Sequence, residues 1–345
     1  MTGAWLAEVD PPPELFAAVM ATGIVSVAAD DHGYWRFSTA LGILAAVAFV
    51  VLGLGFALWA LRRPRHVVAV LRDPDVAVRM FTVVAACEVL GLRWGAVPAL
   101  GWPLGALALA AWLVLAPLAA VDVASRPAAQ LRERAHGAWL LPSVATAGLA
   151  TTAADLALDV RAPSLVVIAA VAWVVAMVLY LAVAWLIAWR ALATPLVPDE
   201  VTPDSWILMG ALAITTLAGD HILAAARALG EMGALGTMGA LAGLADWAQP
   251  VTLGVWGLAS LWVPVLLYAQ VWRADQVAGS LRYQGVWWAA VFPLGMYAAA
   301  CAATATELHL RSLETISLVF FWDAVTVWTL LVIGGLHSAL EHARR

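Results

Sequence analysis

Glu88 stands inside TVVAACEVLG (82–91), where no other side chain carries a charge. A carboxyl at bilayer depth costs roughly 2.5–3.5 kcal/mol on insertion scales and usually marks a pathway or a pair. Proton coupling is one reading of Glu88, and a protonated interhelical hydrogen bond is the other. Phe292 precedes Pro293, with Gly295 two residues further on. Proline removes a backbone donor and crowds the carbonyl four residues earlier, so Pro293 and Gly295 predict a helix kink. A phenyl ring projecting from such a kink into a narrow lumen is an apolar plug that resists wetting; an ordinary core phenylalanine is the alternative. Pro142 is a second expected kink. Thr22, Ser26, Thr82, Thr146, Thr215 and Thr216, with the phenol of Tyr297, lie on stretches rich in Gly and Ala. Their hydroxyls are the expected lining of a water-filled path, unless each bonds to a carbonyl of its own helix.

Other chemistries find little support. Cys87 and Cys301 form no C-x-x-C pair, and no H-E-x-x-H array occurs. Asp220 and His221 are adjacent, and adjacent helix residues do not share a face. No metal, cofactor or enzymatic reaction is expected. The chain has 18 basic residues, all arginine, and a formal charge of −5. No basic cluster has the aromatic interleaving of a nucleic-acid binder, so no nucleic-acid partner is expected.

The elements that must position these groups are apolar stretches at approximately 14–29, 37–61, 76–94, 101–123, 138–157, 163–190, 205–225, 248–272, 286–305 and 315–340. With 64% hydrophobic and 12% charged residues and a mean hydropathy of +0.90, the chain reads as polytopic in a bilayer. Roughly 20 apolar residues span the hydrocarbon, and helices alone suit runs this long and continuous. The expectation is an all-α membrane protein of ten spans in one domain, 1–345. The start, MTGAWLAEVDPPPELF, lacks the basic region and cleavage site of a signal peptide. The longest connection is expected at about 226–247. Arg62, Arg63, Arg65, Arg72, Arg126, Arg132, Arg134, Arg190, Arg273 and Arg282 fall after even-numbered stretches. Positive charge stays inside, which predicts cytoplasmic termini in the inner (plasma) membrane.

Odd and even stretches differ in character. Even ones are bulky and aromatic, as in VVIAAVAWVVAMVLYLAVAWLIAW (166–189); odd ones are small and hydroxyl-bearing, as in LLPSVATAGLATTAA (140–154). Small residues permit close helix contact. The pattern predicts five hairpins, with odd helices inside and even helices facing lipid. Asp323, on a mostly outward stretch, is expected to turn toward a protomer contact or the ninth stretch. Asp155, Asp159, Asp220, His221, Glu307 and His309 are expected to form an acidic external rim.

Four odd stretches carry a resemblance. Phe16-Ala-Ala-Val-Met20-Ala-Thr22-Gly23-Ile-Val-Ser26, Trp139-Leu-Leu-Pro142-Ser-Val-Ala-Thr146 and Trp206-Ile-Leu-Met209-Gly210-Ala-Leu-Ala-Ile-Thr215-Thr216-Leu-Ala-Gly219 are three of its motifs. The fourth and most specific is Trp287-Trp288-Ala-Ala-Val-Phe292-Pro293-Leu-Gly295-Met-Tyr297. Together they resemble the tellurite-resistance/C4-dicarboxylate transporter family, of the same superfamily as plant slow anion channels and fungal malate and sulfite transporters. The resemblance implies five helical hairpins around a quasi-fivefold axis, a pore in each protomer and a homotrimer. It also implies that Phe292 blocks the pore and that the substrate is a small anion, either a malate-like C4-dicarboxylate or a small inorganic oxyanion. Cys87-Glu88 departs from the family pattern, where a neutral residue is expected. That leaves proton-coupled export of dicarboxylate, sulfite or tellurite beside passive conduction.

Overall fold

The computed structural model describes residues 16–63, 73–232 and 235–343. Every regular element among them is helical. The α-helices are α1 (Ala17–Asp31), α2 (Trp35–Arg62), α3 (Pro74–Arg79), α4 (Phe81–Trp94), α5 (Pro98–Ala124), α6 (Ala128–Arg134), α7 (Leu141–Asp159), α8 (Pro163–Ala193), α9 (Ile207–Met232), α10 (Leu235–Gln276), α11 (Trp288–Leu308) and α12 (Arg311–Ala343). Short 3-10 turns at Gly137–Leu140, Pro203–Trp206 and Gly285–Trp287 lead into α7, α9 and α11. Residues 1–15 of the start read above for a signal peptide, and Arg65 and Arg72 of the orientation reading, lie outside the described residues.

Among the described residues, eight helical segments are long and apolar enough to cross a membrane. These are α2, α5, α8, α10 and α12, together with α7, α9 and α11 and their lead-in turns. The other two expected stretches contain α1 and α4, of 15 and 14 residues. At about 1.5 Å per residue, each is shorter than the roughly 30 Å of hydrocarbon.

Two local expectations differ from the structure. Pro142 lies in the first turn of α7. There it removes no intrahelical bond and its fixed φ suits a helix start, so it opens the helix instead of kinking it. Pro293 is inside α11. The connection expected at 226–247 is mostly helix, because α9 runs to Met232 and α10 begins at Leu235. Ala225, Ala226 and Leu229 bury against a cluster containing Leu241, Ala245 and Ala248, so the Ala- and Leu-rich segment has both propensity and a packing surface.

The helices separate by burial. In their most apolar 18 residues, α2, α5, α8, α10 and α12 are 17, 17, 33, 22 and 22% buried, whereas the spans of α7, α9 and α11 reach 67, 89 and 67%. Most of α1 and α4 is also buried. Helices α1 and α2, α4 and α5, α7 and α8, α9 and α10, and α11 and α12 pack in consecutive pairs. The buried members also pack on one another in a cycle: α1 on α4, α4 on α7, α7 on α9, α9 on α11, and α11 on α1.

Glycine permits four of those five close approaches. A Cβ at Gly23 would collide with Val89, one at Gly148 with the Glu88 carboxyl, one at Gly210 with Pro293, and one at Gly295 with Ile24. Polar staples add to this packing. Trp112 of α5 donates its indole N–H to Thr146 Oγ1 of α7 at 2.9 Å. Trp173 of α8 donates to the Thr215 carbonyl of α9 at 2.7 Å. Trp256 of α10 donates to Cys301 Sγ of α11 at 3.3 Å, and Trp328 of α12 to Thr22 Oγ1 of α1 at 3.0 Å. Each of these four exposed helices thus reaches past its own pair to the next buried helix in the cycle. Within three pairs a serine does the corresponding work: Ser26 donates to the Ser38 carbonyl, Ser143 to that of Ala176 and Ser317 to that of Ala298.

Thr22→Val and Thr146→Val remove the acceptors of two indoles. Each should cost about 0.6–1.7 kcal/mol, the range for interhelical hydrogen bonds in membranes, read as a lower thermal midpoint in detergent. Gly210→Leu overpacks the seam with Pro293 and should cost about 1–3 kcal/mol in the same assay.

Candidate functional site

The first turns of the buried helices converge on a cavity of about 290 Å3. Ala17 and Met20 of α1, Thr82 of α4, Leu141 of α7, Ile207 of α9 and Ala289 of α11 all line it. A helix N-terminus leaves backbone N–H groups without intrahelical acceptors and carries the positive end of the helix dipole. Five such ends border one space. Arg79, Arg190 and His136 add cationic or polar groups to the wall, and Glu200 and Asp204 add carboxylates.

The two carboxylates are spoken for. Arg190 pairs with Glu200 at 2.9 Å and donates to the Ala135 carbonyl at 3.3 Å. Asp204, only 3% exposed, lies 2.6 Å from His136 Nδ1. It also accepts from the Ala138 N–H at 3.0 Å and from the Thr202 hydroxyl. These bonds clasp the lead-in turn of α7 to that of α9. A Cβ at Gly137 would strike the Asp204 carbonyl, so this approach also needs glycine. On its other side His136 Nε2 is 3.9 Å from Asp75, which accepts from the Trp139 indole at 2.8 Å.

Phe292 is fully buried and lies one turn beyond Ala289. Its facing follows from helix geometry, at about 100° per residue. On α11, Pro293 meets Gly210 of α9 and Gly295 meets Ile24 of α1. Cys301 takes the indole of α10, and the Ala298 carbonyl takes Ser317 of α12. Cys301 is nine residues from Phe292, about half a turn out of phase. Phe292 therefore falls on the face between α9 and α1, away from α10 and α12, with Ala289 and Met296 near the same line. The plug reading needs that placement, which an ordinary core phenylalanine could also occupy.

The expected hydroxyl lining is mostly engaged elsewhere. Thr22, Thr146, Thr215 and Thr216 donate to the carbonyls of Ala18, Pro142, Ala211 and Leu212, four residues back on their own helices. Ser26 is taken by the Ser38 carbonyl and accepts from Arg93 Nε at 3.1 Å. Tyr297 turns to α10, its hydroxyl 2.7 Å from Ser260 Oγ, and its ring packs on Phe320. The physical reason is shared: a buried hydroxyl without water takes the nearest carbonyl. Of the expected hydroxyls, Thr82 lines the cavity, donating to the Arg79 carbonyl at 2.8 Å. Glu88 is 2% exposed at the seam of α4 and α7.

Sequence reasoning passed over Arg79, His136, Arg190, Glu200, Thr202 and Asp204. A signal was present: polar residues followed within three positions by tryptophan occur just before α7 (His136, Trp139) and α9 (Asp204, Trp206). At the far ends of the buried helices the acidic groups have partners. His221 Nδ1 is 2.5 Å from Asp155, Thr304 donates to Asp220 at 2.7 Å, and Arg227 pairs with Glu307. Asp220 and His221 face different neighbours, as their adjacency requires.

Comparison with known proteins adds two findings. An uncharacterised membrane protein of Mycobacterium tuberculosis strain CDC 1551 / Oshkosh is 37% identical over 161 residues, covering 47% of this chain and 77% of that protein. A second, from strain ATCC 25618 / H37Rv, matches with the same identity and coverage. The voltage-dependent anion channel family matches over residues 11–336, nearly the whole chain, and the chain belongs to that family.

Proposed function

We propose that the chain carries small anions across the membrane through a conduit between α1, α4, α7, α9 and α11, occluded at Phe292. The observation that carries this reading is the cavity of about 290 Å3 into which five helix N-terminal turns point. It attracts negative charge without a rigid trap, and a transported ion must leave as well as enter. The substrate class is a malate-like C4-dicarboxylate or a small inorganic oxyanion. In this proposal all five helix pairs cross the bilayer as hairpins about a quasi-fivefold axis. The shorter α1 and α4 are shielded by the longer helices around them.

The arginine distribution supports cytoplasmic termini, which would put the cavity on the cytoplasmic side. A homotrimer is proposed from the resemblance and from Asp323, an exposed carboxyl in the apolar middle of α12. A neighbouring copy would keep it out of lipid, where exposure is costly.

Purified protein in liposomes should move malate, sulfite, nitrate or chloride down a gradient, and absence of flux for all four would sink the proposal. Phe292→Ala should raise flux severalfold at equal reconstituted amounts; unchanged flux would remove the plug. Arg79→Gln with Arg190→Gln should lower flux and weaken its dependence on ionic strength, because fewer fixed charges steer the anion. Cys87 and Cys301 are buried, so a membrane-impermeant maleimide reads new thiols. Arg134→Cys should be shielded in intact cells and Arg311→Cys should be labelled; the reverse pattern would invert the orientation.

A further inference from the structure

Glu88 is a buried carboxyl for which the fold provides no partner. Neither of its oxygens has a hydrogen-bond partner among the described residues. A buried polar group in that condition calls for a specific explanation. The site is not an accident of loose packing, since the carboxyl fills the space that a Cβ at Gly148 would take. Glycine at 148 makes room for it.

Its position follows from the same packing. On α4, Glu88 meets α7 through Gly148, and the next residue, Val89, meets α1 through Gly23. Successive residues point about 100° apart. Because α7 and α1 are the neighbours of α4 in the cycle of buried helices, the arc between Glu88 and Val89 faces the middle of that cycle. Glu88 sits at one edge of this inward arc. Depth can be read off in the same way. Gly23 is level with Val89, and Ile24 is level with Gly295. These helices all run away from the cavity, so Val89 stands about level with Leu294. Glu88 is then within about 3 Å of Phe292 in depth, at 1.5 Å per residue.

Charged side chains on the elements packed against α4 lie well away in sequence from these contacts. They are Asp30 and Asp31 at the end of α1, Arg36 and Arg62 near the ends of α2, and Asp75 and Arg79 on α3. Asp122 closes α5, and Asp155 and Asp159 lie seven and eleven residues beyond Gly148 on α7. On α4 itself, Cys87 is adjacent, and Arg93 is engaged with Ser26 and Thr39. Among the described residues, no ion pair or hydrogen bond reaches the Glu88 carboxyl.

We infer that Glu88 is a proton-binding site on the transport path, beside the Phe292 plug, and that a proton crosses with the anion. This rests on the transport reading proposed above. An ionised Glu88 would repel an anion at the narrowest level, whereas a protonated one removes that repulsion and offers an O–H donor. The step balances simply. A hydronium ion on one side gives its proton to a carboxylate oxygen, forming an O–H bond and leaving water. On the other side water takes the proton back as the anion leaves. One proton per monoanion makes the movement electroneutral, unlike simple conduction.

The test uses full-length protein in liposomes containing pyranine, with the membrane potential clamped at zero by potassium and valinomycin. The anion is whichever of malate, sulfite, nitrate and chloride gives the largest wild-type flux. The expected result is severalfold stimulation of uptake by an acidic exterior, with acidification of the lumen. Glu88→Gln should keep anion uptake and lose both effects, and Glu88→Asp should keep both. Should Glu88→Gln fail to reconstitute, a shifted pH midpoint of uptake in Glu88→Asp supports the inference, and an unshifted one overturns it. Wild-type uptake without lumen acidification, or an acid-stimulated Glu88→Gln, overturns it while leaving anion transport standing. Absence of any wild-type flux overturns the transport reading, and this inference with it.

Discussion

A buried indole N–H needs an acceptor, and the hydrocarbon of a bilayer supplies no water to provide one. Four exposed helices meet that constraint identically, by sending a tryptophan into the next buried helix: Trp112, Trp173, Trp256 and Trp328. Apolar contact alone cannot hold such helices together, because lipid tails are as apolar as leucine. The indole bonds and the glycine seams supply what the hydrophobic effect does not. The bonds also set register, since each aligns one turn of an exposed helix with one acceptor on a buried helix.

The same constraint decides what is left for an anion. Thr22 and Thr146 each donate to their own helix and accept an indole, so their hydroxyls belong to the scaffold. The interior beyond the cavity is then walled by residues such as Ile24, Val84, Ala85, Phe292 and Met296, all buried. Polarity is concentrated where the helices begin. There, the first turns of five helices and the arginines stand around one space. A path with a polar mouth and an apolar throat discriminates against ions at the throat and gathers them at the mouth.

The long helices and the contrast between bulky and small stretches were legible in the sequence, because composition reports directly which faces meet lipid. The placement of Phe292 and Pro293 on a buried helix was also legible, since the W-W-x-x-x-F-P run is local. The hydroxyl assignments were not. Threonine on a small-residue helix reads the same whether it faces a lumen or a tryptophan, and the tryptophan that takes Thr22 is 306 positions away. Pro142 misled for a local reason: the 3-10 turn ahead of it moves the helix start to Leu141. The clasp of His136 and Asp204 was hidden because its partners are 68 residues apart on two short turns.

The two ends of the buried helices are electrostatically unlike, and the difference bears on direction. Carboxylates near helix C-termini oppose the dipole and are unfavourable unless compensated. Three of them have partners here: Asp155 has His221, Glu307 has Arg227, and Asp30 lies 3.9 Å from Arg93. That end therefore gains structure from paired charge without becoming attractive to an anion. The cavity end combines helix N-termini with Arg79 and Arg190. In the transport proposed above, an anion would be stabilised in the cavity and not held at the far end. The asymmetry leaves equilibrium distribution to the gradients, because fixed charges alter barriers and affinities but not the free energy between bulk solutions. In the conduit proposed above, it would ease loading from the cavity side.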